Sequence, residues 1–347
     1  MSKAADLANL IGNINAGGGG VNRNVIINGA MNISQRATSA TGLGSSDPSY
    51  QTLDRFRMNI GGTSAGRFTM AQDSSAPEGF ANSLKLSCTT ADTSIAADEL
   101  LSLQQRIEGQ NLQMFAKGTT SAKPYAVSFY VKGNASATYT CELEDGDNSR
   151  RVAKEFSVTT DWARVELSFP KDTTGAFDDD NALSLSLNIF LHGGSNFTSG
   201  TFSANTWESI SNTTRLSDSQ TSFFDSTDRT FFITGVQLEV GQNPTSFEHE
   251  PFERTLAKCQ RYFMTVARTR GSGNRDALYN NCAFSAVLPV EMRTGPSCTK
   301  IEVGTAYNWS NFQFVNVNKL HVGGLVTIDS ADGYWYFNDG FEAEAEL

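Results

Sequence analysis

One feature constrains the fold of this 347-residue chain more than any other: short segments in which apolar and polar residues alternate. From Leu183 to Leu191, every second residue is Leu or Ile, and the positions between carry Ser, Asn or Phe. Segments 127–131 and 164–169 show the same alternation. Successive side chains of a strand point to opposite sides of a sheet, so a period of two predicts strands with one buried face.

Turn-forming residues separate these segments, as at Asp145–Asn148, Lys171–Gly175 and Gly193–Gly194. Strands at this spacing, with no crossover helices between them, predict an all-β fold built on an antiparallel jelly-roll sandwich. The composition agrees, because 30 Gly and 23 Phe with only 18% charged residues suit short strands joined by polar turns.

The first twenty residues differ from the rest. Leu7, Leu10, Ile11 and Ile14 lie at positions i, i+3, i+4 and i+7, which predicts a short helix with a narrow apolar stripe. Isolated helices of about three turns rarely persist in water. The stripe is therefore expected to bind copies of itself or a socket on another protein, and Gly17–Gly20 would form a flexible tether. A frayed terminus with accidental spacing is the alternative.

Three parts are expected along the chain: residues 1–20 as anchoring helix and tether, 21–250 as the jelly-roll sandwich, and 251–347 as a smaller C-terminal β domain. The boundary is set near residue 250, where a segment of mixed helical character precedes new strands. Strands are predicted at 312–317, 325–328 and 334–337, and the alternation of Glu with apolar residues predicts another at 341–347.

Charge and composition exclude several classes of function. A net charge of −10 would repel nucleic acid. No apolar stretch approaches the roughly 20 residues that span a bilayer, and no signal peptide is apparent, so membrane insertion is not expected. The five cysteines include no C-x-x-C pair and are expected to be free thiols, so neither a metal nor another cofactor is predicted.

Several segments resemble a known family when they are taken in order. They are NVIINGAMNISQR at Asn24–Arg36, YQTLDRF at Tyr50–Phe56, QRIEG at Gln105–Gly109, YAVSFYVK at Tyr125–Lys132, TGVQLEVG at Thr234–Gly241, FE at Phe247–Glu248 and CQRYF at Cys259–Phe263. The chain is similar in these segments to phage tail-fibre and minor tail proteins, whose motifs read NLIINGAMN…QR, YTLDRW, VQLEVG and CQRYF. Ala37 and Phe56 depart from the Gly and Trp usual in that family.

The resemblance implies a carbohydrate-binding-module-like jelly roll in a homotrimeric virion appendage of a bacteriophage. It implies host attachment through a surface glycan or protein receptor, and contact with other virion proteins through the N-terminus. Such a protein is made in the host cytoplasm and located in the virion. No serine-elbow or phosphate-loop motif occurs, so an enzyme is not expected. Two alternatives stay open: an architectural head fibre, decoration or adaptor protein without receptor binding, and a glycan-cleaving spike.

Candidate receptor contacts lie in the C-terminal part, farthest along the chain from the anchor. Aromatic rings can stack on the apolar faces of sugars, while amides and carboxylates bind the hydroxyls. The residues of this kind are Tyr307, Trp309, Asn311, Asp332, Tyr334 and Trp335. The alternative is that some of these rings fill the core or a subunit interface.

Two further sets of polar residues invite a structural interpretation. Glu239 follows a possible bulge at Gly235, and an arginine such as Arg55 or Arg36 is its expected partner. The acidic turns at 145–148 and 178–180 offer oxygen ligands for a structural calcium, although solvated turns are the preferred explanation.

Overall fold

The computed structural model describes residues 2–15, 22–45, 49–274, 281–302, 309–329 and 334–347. The chain divides into two compact units, Met1–Phe252 and Glu253–Leu347. Strands dominate both units, and the described helices are short.

The described residues of the first unit form twelve strands. These are β1 Ser39–Leu43, β2 Arg57–Gly61, β3 Arg67–Asp73, β4 Ser83–Thr90, β5 Leu100–Glu108, β6 Tyr125–Gly133, β7 Ala137–Asp145, β8 Arg150–Val158, β9 Ala163–Phe169, β10 Leu183–Gly193, β11 Glu208–Ser209 and β12 Thr230–Val240. The helical elements are α1 Lys3–Asn15, α2 Ser195–Thr198 and the 3-10 turns Gly109–Asn111, Gln113–Phe115 and Asn212–Thr214.

These strands form two six-stranded antiparallel sheets. Sheet A has the order β1-β3-β4-β12-β6-β9, and sheet B has the order β11-β8-β7-β10-β5-β2. Their facing side chains make one apolar core, to which sheet A contributes Phe68 and Phe129, and sheet B contributes Leu143 and Leu187. The jelly-roll sandwich expected from the period-two segments is confirmed.

Strand β10 differs from the sequence prediction in one respect. It was expected to bury one face, but its alternate residues Ser186 and Asn188 are buried as well. The reason is that side chains of neighbouring strands close over them. The Asn188 amide donates to the carboxylates of Glu142 and Glu144, both at 3.0 Å.

A bulge interrupts β12 at Gly235, where the register with β6 shifts between Thr234 and Gln237. Gly235 has φ of +63°, and a Cβ there would lie 2.8 Å from the Phe80 ring and 2.9 Å from the Tyr130 ring. Only glycine fits both the backbone conformation and the space. Beyond the bulge, Leu238 faces the core and Glu239 faces outward, as the alternation predicts.

The family-like segments at the two ends of the first unit bond to one another. The Asn24 side chain donates to the Val236 carbonyl and accepts from the Leu238 N–H, both at 3.1 Å. The Gln105 side chain pairs with both backbone groups of Ile27, at 2.7 and 3.0 Å. The motifs that carry the resemblance therefore hold the sandwich together.

Helix α1 confirms the predicted N-terminal helix, and its apolar stripe is largely open. Leu7 is 57% exposed and Ile11 is 50% exposed, while Leu10 is half-buried. The side chain of Ile14 lies outside the described residues. The exposed Leu7 and Ile11 side chains are therefore free to pack against another protein, as the predicted anchoring role requires.

Deletion of residues 2–20 should leave the sandwich folded, because Leu7 and Ile11 contribute little buried area and the strands begin at Ser39. We expect a change in Tm of less than about 2 °C, given the small apolar area involved. Differential scanning calorimetry of the truncated and full chains measures this. A much lower Tm would show that the helix belongs to the core, whereas loss of incorporation into particles with an unchanged Tm would support anchoring.

The described residues of the second unit form two three-stranded antiparallel sheets. The strands are β13 Phe263–Asn274, β14 Asn281–Val287, β15 Ser297–Ile301, β16 Trp309–Asn318, β17 His321–Ile328 and β18 Tyr334–Glu344, and helix α3 Phe252–Gln260 precedes them. The sheet orders are β13-β18-β15 and β14-β17-β16. The two strands predicted at 334–337 and 341–347 are in fact one, which ends at Glu344. No helix in the described ranges is long and apolar enough to span a bilayer.

Candidate functional site

The outer face of sheet B is filled by its own polar side chains. Glu142 and Asn188 lie side by side on β7 and β10, and both are buried. Arg215 donates to Glu142 at 2.6 Å, and Arg151 lies 3.6 Å from the same carboxylate. Burial raises the pKa of Glu142, although the charge of Arg215 opposes the shift.

A covering segment closes this face further. Phe197 and Leu216 pack there against Phe190 and Leu100 in a small apolar cluster, separate from the main core. The Arg215 guanidinium lies 5.1 Å from the centre of the Phe190 ring. Ion pairs and apolar contacts therefore occupy this central part of the outer face of sheet B.

Among the described residues, polar side chains cover one end of the outer face of sheet A. There Arg23, Gln237 and Glu239 bond to one another and to Thr245. At the other end, past the Gly235 bulge, aromatic side chains stand half-exposed on the sheet. The open end of sheet A is therefore the candidate functional site of the first unit.

Four rings at this end form what we call the aromatic groove: Phe80, Tyr130, Phe247 and His249. The centre of the Phe80 ring lies 5.4 Å from Tyr130, 5.0 Å from Phe247 and 5.1 Å from His249. An open cavity of about 650 Å³ adjoins them, a volume typical of small-ligand sites.

Charged side chains complete the wall of the aromatic groove. Asp6, Glu78 and Glu166 line the same cavity, together with Arg164 and Ser246. Arg164 donates to Glu166 and to the Thr245 carbonyl, and these two bonds fix the position of its guanidinium in the cavity wall. Rings beside carboxylates can hold a sugar, because the rings cover its C–H faces and the carboxylates accept from its hydroxyls.

The aromatic groove has no signature in the sequence, because its rings come from separate segments. Tyr130 is on β6, whereas Phe80 and the Phe247–His249 pair lie in irregular chain. No local pattern links them. The one available signal was the glycine at 235, whose missing Cβ allows Phe80 and Tyr130 to approach the strand.

The candidate residues predicted in the second unit are only partly described. Tyr307 and Asp332 lie outside the described residues. Asn311 is exposed, Tyr334 is 53% exposed, and Trp309 is half-buried with its ring 5.1 Å from the Lys300 ammonium.

Trp335 is the member of this set that the structure assigns to the core. It is only 8% exposed and packs with Val326 and Ile328, and Trp309 lies partly buried against the same cluster. Since β18 alternates its side chains between two faces, Trp335 turns inward while Tyr334 turns outward. Its ring is not available to a ligand.

Glu239 has a different partner from those expected. Its carboxylate lies 3.3 Å from the Arg23 Nε, rather than beside Arg36 or Arg55. It also accepts hydrogen bonds from the Thr245 backbone N–H at 2.7 Å and from the Gln237 amide at 2.8 Å. The expected structural role is confirmed, and the arginine comes from the N-terminal segment.

The acidic turn at 145–148 does hold a cation, but it is the ammonium group of Lys117. Its Nζ lies 2.6 Å from Asp145 and 3.2 Å from Asp172. The carbonyls of Thr174 and Gly175 accept from it at 2.7 and 2.8 Å. Four oxygens thus surround a buried ammonium at the turn whose acidic residues suggest a calcium site, and no described group of acidic, His or Cys side chains suits a metal ion.

A chain of hydrogen bonds at His192 has the residue types of a hydrolase triad. The His192 Nδ1 lies 2.8 Å from the Ser222 hydroxyl, and its Nε2 lies 3.0 Å from Glu99. Burial lowers the pKa of His192, although Glu99 opposes the shift, so the ring is neutral at pH 7. The N–H of Phe224 donates to the Ser222 hydroxyl and that of Phe223 to the Leu191 carbonyl. Both N–H groups are therefore committed within the fold and are not free to stabilise an oxyanion.

Comparisons with known proteins give similarity at the level of solved structures. No protein-family model matches the sequence, and no curated protein matches it significantly. The family 11 carbohydrate-binding module of the Clostridium thermocellum cellulosomal cellulase Lic26A-Cel5E is 13% identical, with 61% of this chain and 99% of that chain covered and a TM-score of 0.28. TmCBM61 in complex with β-1,4-galactotriose is 10% identical, with 63% and 99% covered and a TM-score of 0.31.

A phage protein is also among the similar structures. The enzymatically active domain of tailspike protein 4 of bacteriophage CBA120 is 12% identical, with 63% of this chain covered and a TM-score of 0.30. The match spans only 21% of that chain. Similarities this distant carry no argument about function, which has to rest on the site itself.

Proposed function

We propose that this protein is a non-enzymatic virion appendage of a bacteriophage, of the tail-fibre kind, which attaches to its host by binding a surface glycan. The observation that carries the binding function is the aromatic groove on the open end of sheet A. The rings of Phe80, Tyr130 and Phe247 are half-exposed there, beside the carboxylates of Glu78 and Glu166.

Physical chemistry favours a saccharide as the ligand of this groove. Half-exposed rings keep apolar area in water, and a sugar ring covers that area while its hydroxyls stay hydrated or bind carboxylates. The rings are held by contact with one another, so little side-chain entropy is lost on binding. The ion pairs and apolar contacts on the central part of sheet B support the choice of sheet A for this proposal.

The phage and virion parts of the proposal rest on the ordered family-like segments from Asn24 to Phe263. The open stripe of Leu7 and Ile11 is suited to docking on another virion protein. A homotrimer would multiply a weak glycan contact, because three linked sites raise the overall affinity without any new contact.

Replacing Tyr130 by alanine should weaken glycan binding about ten-fold while the fold is kept, because a stacking ring at a shallow site contributes about 1 kcal/mol or slightly more. A glycan array with the purified wild type identifies the ligand, and isothermal titration calorimetry with that ligand measures the loss. Circular dichroism and Tm report whether the variant is folded.

Phe252→Ala is the matched control, since it truncates an exposed aromatic ring that does not line the groove. Tyr334→Ala and Trp309→Ala test the sequence-based prediction that these two residues contact the receptor. Loss of binding in Tyr334→Ala or Trp309→Ala, with Tyr130→Ala unaffected, would move the site to the second unit. If no glycan binds at all, the binding proposal fails, and the result supports the alternative of an architectural protein without receptor binding.

A further inference from the structure

A second feature of the open face of sheet A is a row of alternating basic and aromatic side chains, which we call the lysine–aromatic row. Lys85 on β4 is paired in register with Phe232 on β12, and Phe232 is paired with Lys132 on β6. Trp162, immediately before β9, stands next to Lys132 and completes the row.

The members of the row touch one another. The Lys85 Nζ lies 5.2 Å from the centre of the Phe232 ring, and the Lys132 Nζ lies 5.4 Å from the same ring. Lys132 also lies 5.9 Å from the Trp162 ring, which meets Phe232 edge-on at 6.1 Å. Cation–π attraction holds the ammonium groups against the rings at half-exposed positions.

The row is a local positive site on an acidic protein. Lys85 shares its charge with Asp73, at 3.4 Å, on the β3 side. Lys132 makes no ion pair with any residue of the described ranges. On β12, the outward-facing positions two residues before and after Phe232 carry the uncharged residues Thr230 and Thr234. The chain as a whole carries a net charge of −10, so a cationic patch without a full complement of carboxylates points to an anionic partner.

We infer that the lysine–aromatic row binds an acidic saccharide, in which a carboxylate-bearing sugar faces the lysines and a neighbouring ring stacks on Trp162. This inference rests on the proposed glycan-binding function and adds the charge class of the glycan. Neighbouring strands lie about 4.8 Å apart, so the three intervals from β4 to β9 span about 14 Å, the length of two to three sugar residues.

A single-stranded nucleic acid fits the row less well. Such ligands need a continuous basic groove and several rings open to successive bases. Here Phe232 is only 8% exposed, so Trp162 is the one large open ring of the row.

The test uses a panel of acidic polysaccharides (polygalacturonate, alginate and hyaluronan), each beside its carboxyl-reduced counterpart, which keeps the linkages and removes the charge. The full-length protein should bind an acidic member at least ten-fold more tightly than the reduced form, and higher salt should weaken that binding. The double variant K85Q/K132Q should bind the acidic member about ten-fold more weakly, since each exposed charge pair contributes a few-fold.

Matched variants separate charge from stacking. K123Q/K171Q removes two lysines outside the row and should leave binding unchanged. Trp162→Ala should weaken the acidic and reduced forms alike, about ten-fold. K85Q/K132Q should bind neutral glycans like the wild type, which also reports that it is folded.

Each contrary outcome has a distinct meaning. If neutral glycans bind and no acidic member is preferred, or if K85Q/K132Q binds like the wild type, the inference is wrong while the proposed function stands. If no glycan of either class binds, both fail. Equal binding of an oligothymidylate would also overturn the saccharide assignment.

Discussion

Replacing Lys117 by methionine should lower the free energy of unfolding of the first unit by about 3–5 kcal/mol, the range for removing one partner of a buried ion pair. The Lys117 ammonium has no exposed surface and lies between the carboxylates of Asp145 and Asp172. Methionine keeps the length and the contacts with Phe177 and Trp207 but removes the charge. Two buried carboxylates and two carbonyls then lose their shared donor.

The neighbouring groups define a pH dependence for this variant. Burial alone would raise the pKa of Asp172, but hydrogen bonds from Arg150 and the Thr174 N–H and the charge of Lys117 together lower it. A lowered carboxyl pKa gives stability above the unfolded pKa of about 3.9, and that stability is lost as the pH falls through the folded pKa. The difference in the free energy of unfolding between the wild type and Lys117→Met should therefore become smaller in acid, where the carboxylates take up protons.

Urea unfolding at pH 7 and at about pH 3, below the unfolded carboxyl pKa, measures both effects. Lys171→Met is the control, because Lys171 is exposed and its replacement should change stability by less than about 0.5 kcal/mol. An equal, small effect of the two substitutions would show that Lys117 is not the cation on which this cluster depends.

Replacing Glu239 by alanine should cost a similar amount, about 3–5 kcal/mol, because the buried carboxylate is an acceptor for several donors at once. The Thr245 N–H would lose its acceptor, and the Gln237 amide and the Arg23 guanidinium would each lose this carboxylate while keeping other acceptors. Arg23→Ala should cost less, since the Arg23 side chain is partly exposed and Glu239 keeps its neutral donors.

The matched control is Glu166→Ala, which removes a glutamate from the same sheet face at an exposed position. Thermal unfolding of the three variants should give the order Glu239→Ala, then Arg23→Ala, then Glu166→Ala, from the largest loss to the smallest. A loss in Glu166→Ala as large as that in Glu239→Ala would contradict the burial argument.

The parts of the fold that the sequence predicted are those with a local signal. The alternation from Leu183 to Leu191 located β10, and the spacing of Leu7 and Ile11 located α1. The burial of the polar side of β10 was not predictable, because it depends on Glu142, which accepts from Asn188, and on Arg215, which donates to Glu142; both come from distant parts of the chain. Alternation of apolar and polar residues indicates that the two faces of a strand differ, but it does not indicate which residues cover each face.

The candidate sites show the same division. A cluster of aromatic letters such as Tyr334–Phe337 attracts attention in a sequence, yet its Trp335 is a core residue. The aromatic groove and the lysine–aromatic row are assembled from residues that no local pattern joins, such as Phe80 with Tyr130, or Lys85 with Lys132. Strand register creates these sites, so they become visible only in three dimensions.

The position of β12 has a consequence for the synthesis of this protein. β12 lies in the middle of sheet A, between β4 and β6, and the Asn22 backbone bonds to Glu248, 226 residues later. At 5–20 residues per second, a ribosome needs about 10–45 s to make the intervening chain. Until then β4 and β6 each expose one unpaired edge, and the Asn22 backbone lacks its Glu248 acceptor. The sandwich must therefore close after most of the first unit has left the ribosome, and a nascent chain that stops before residue 230 has no route to a complete sheet A.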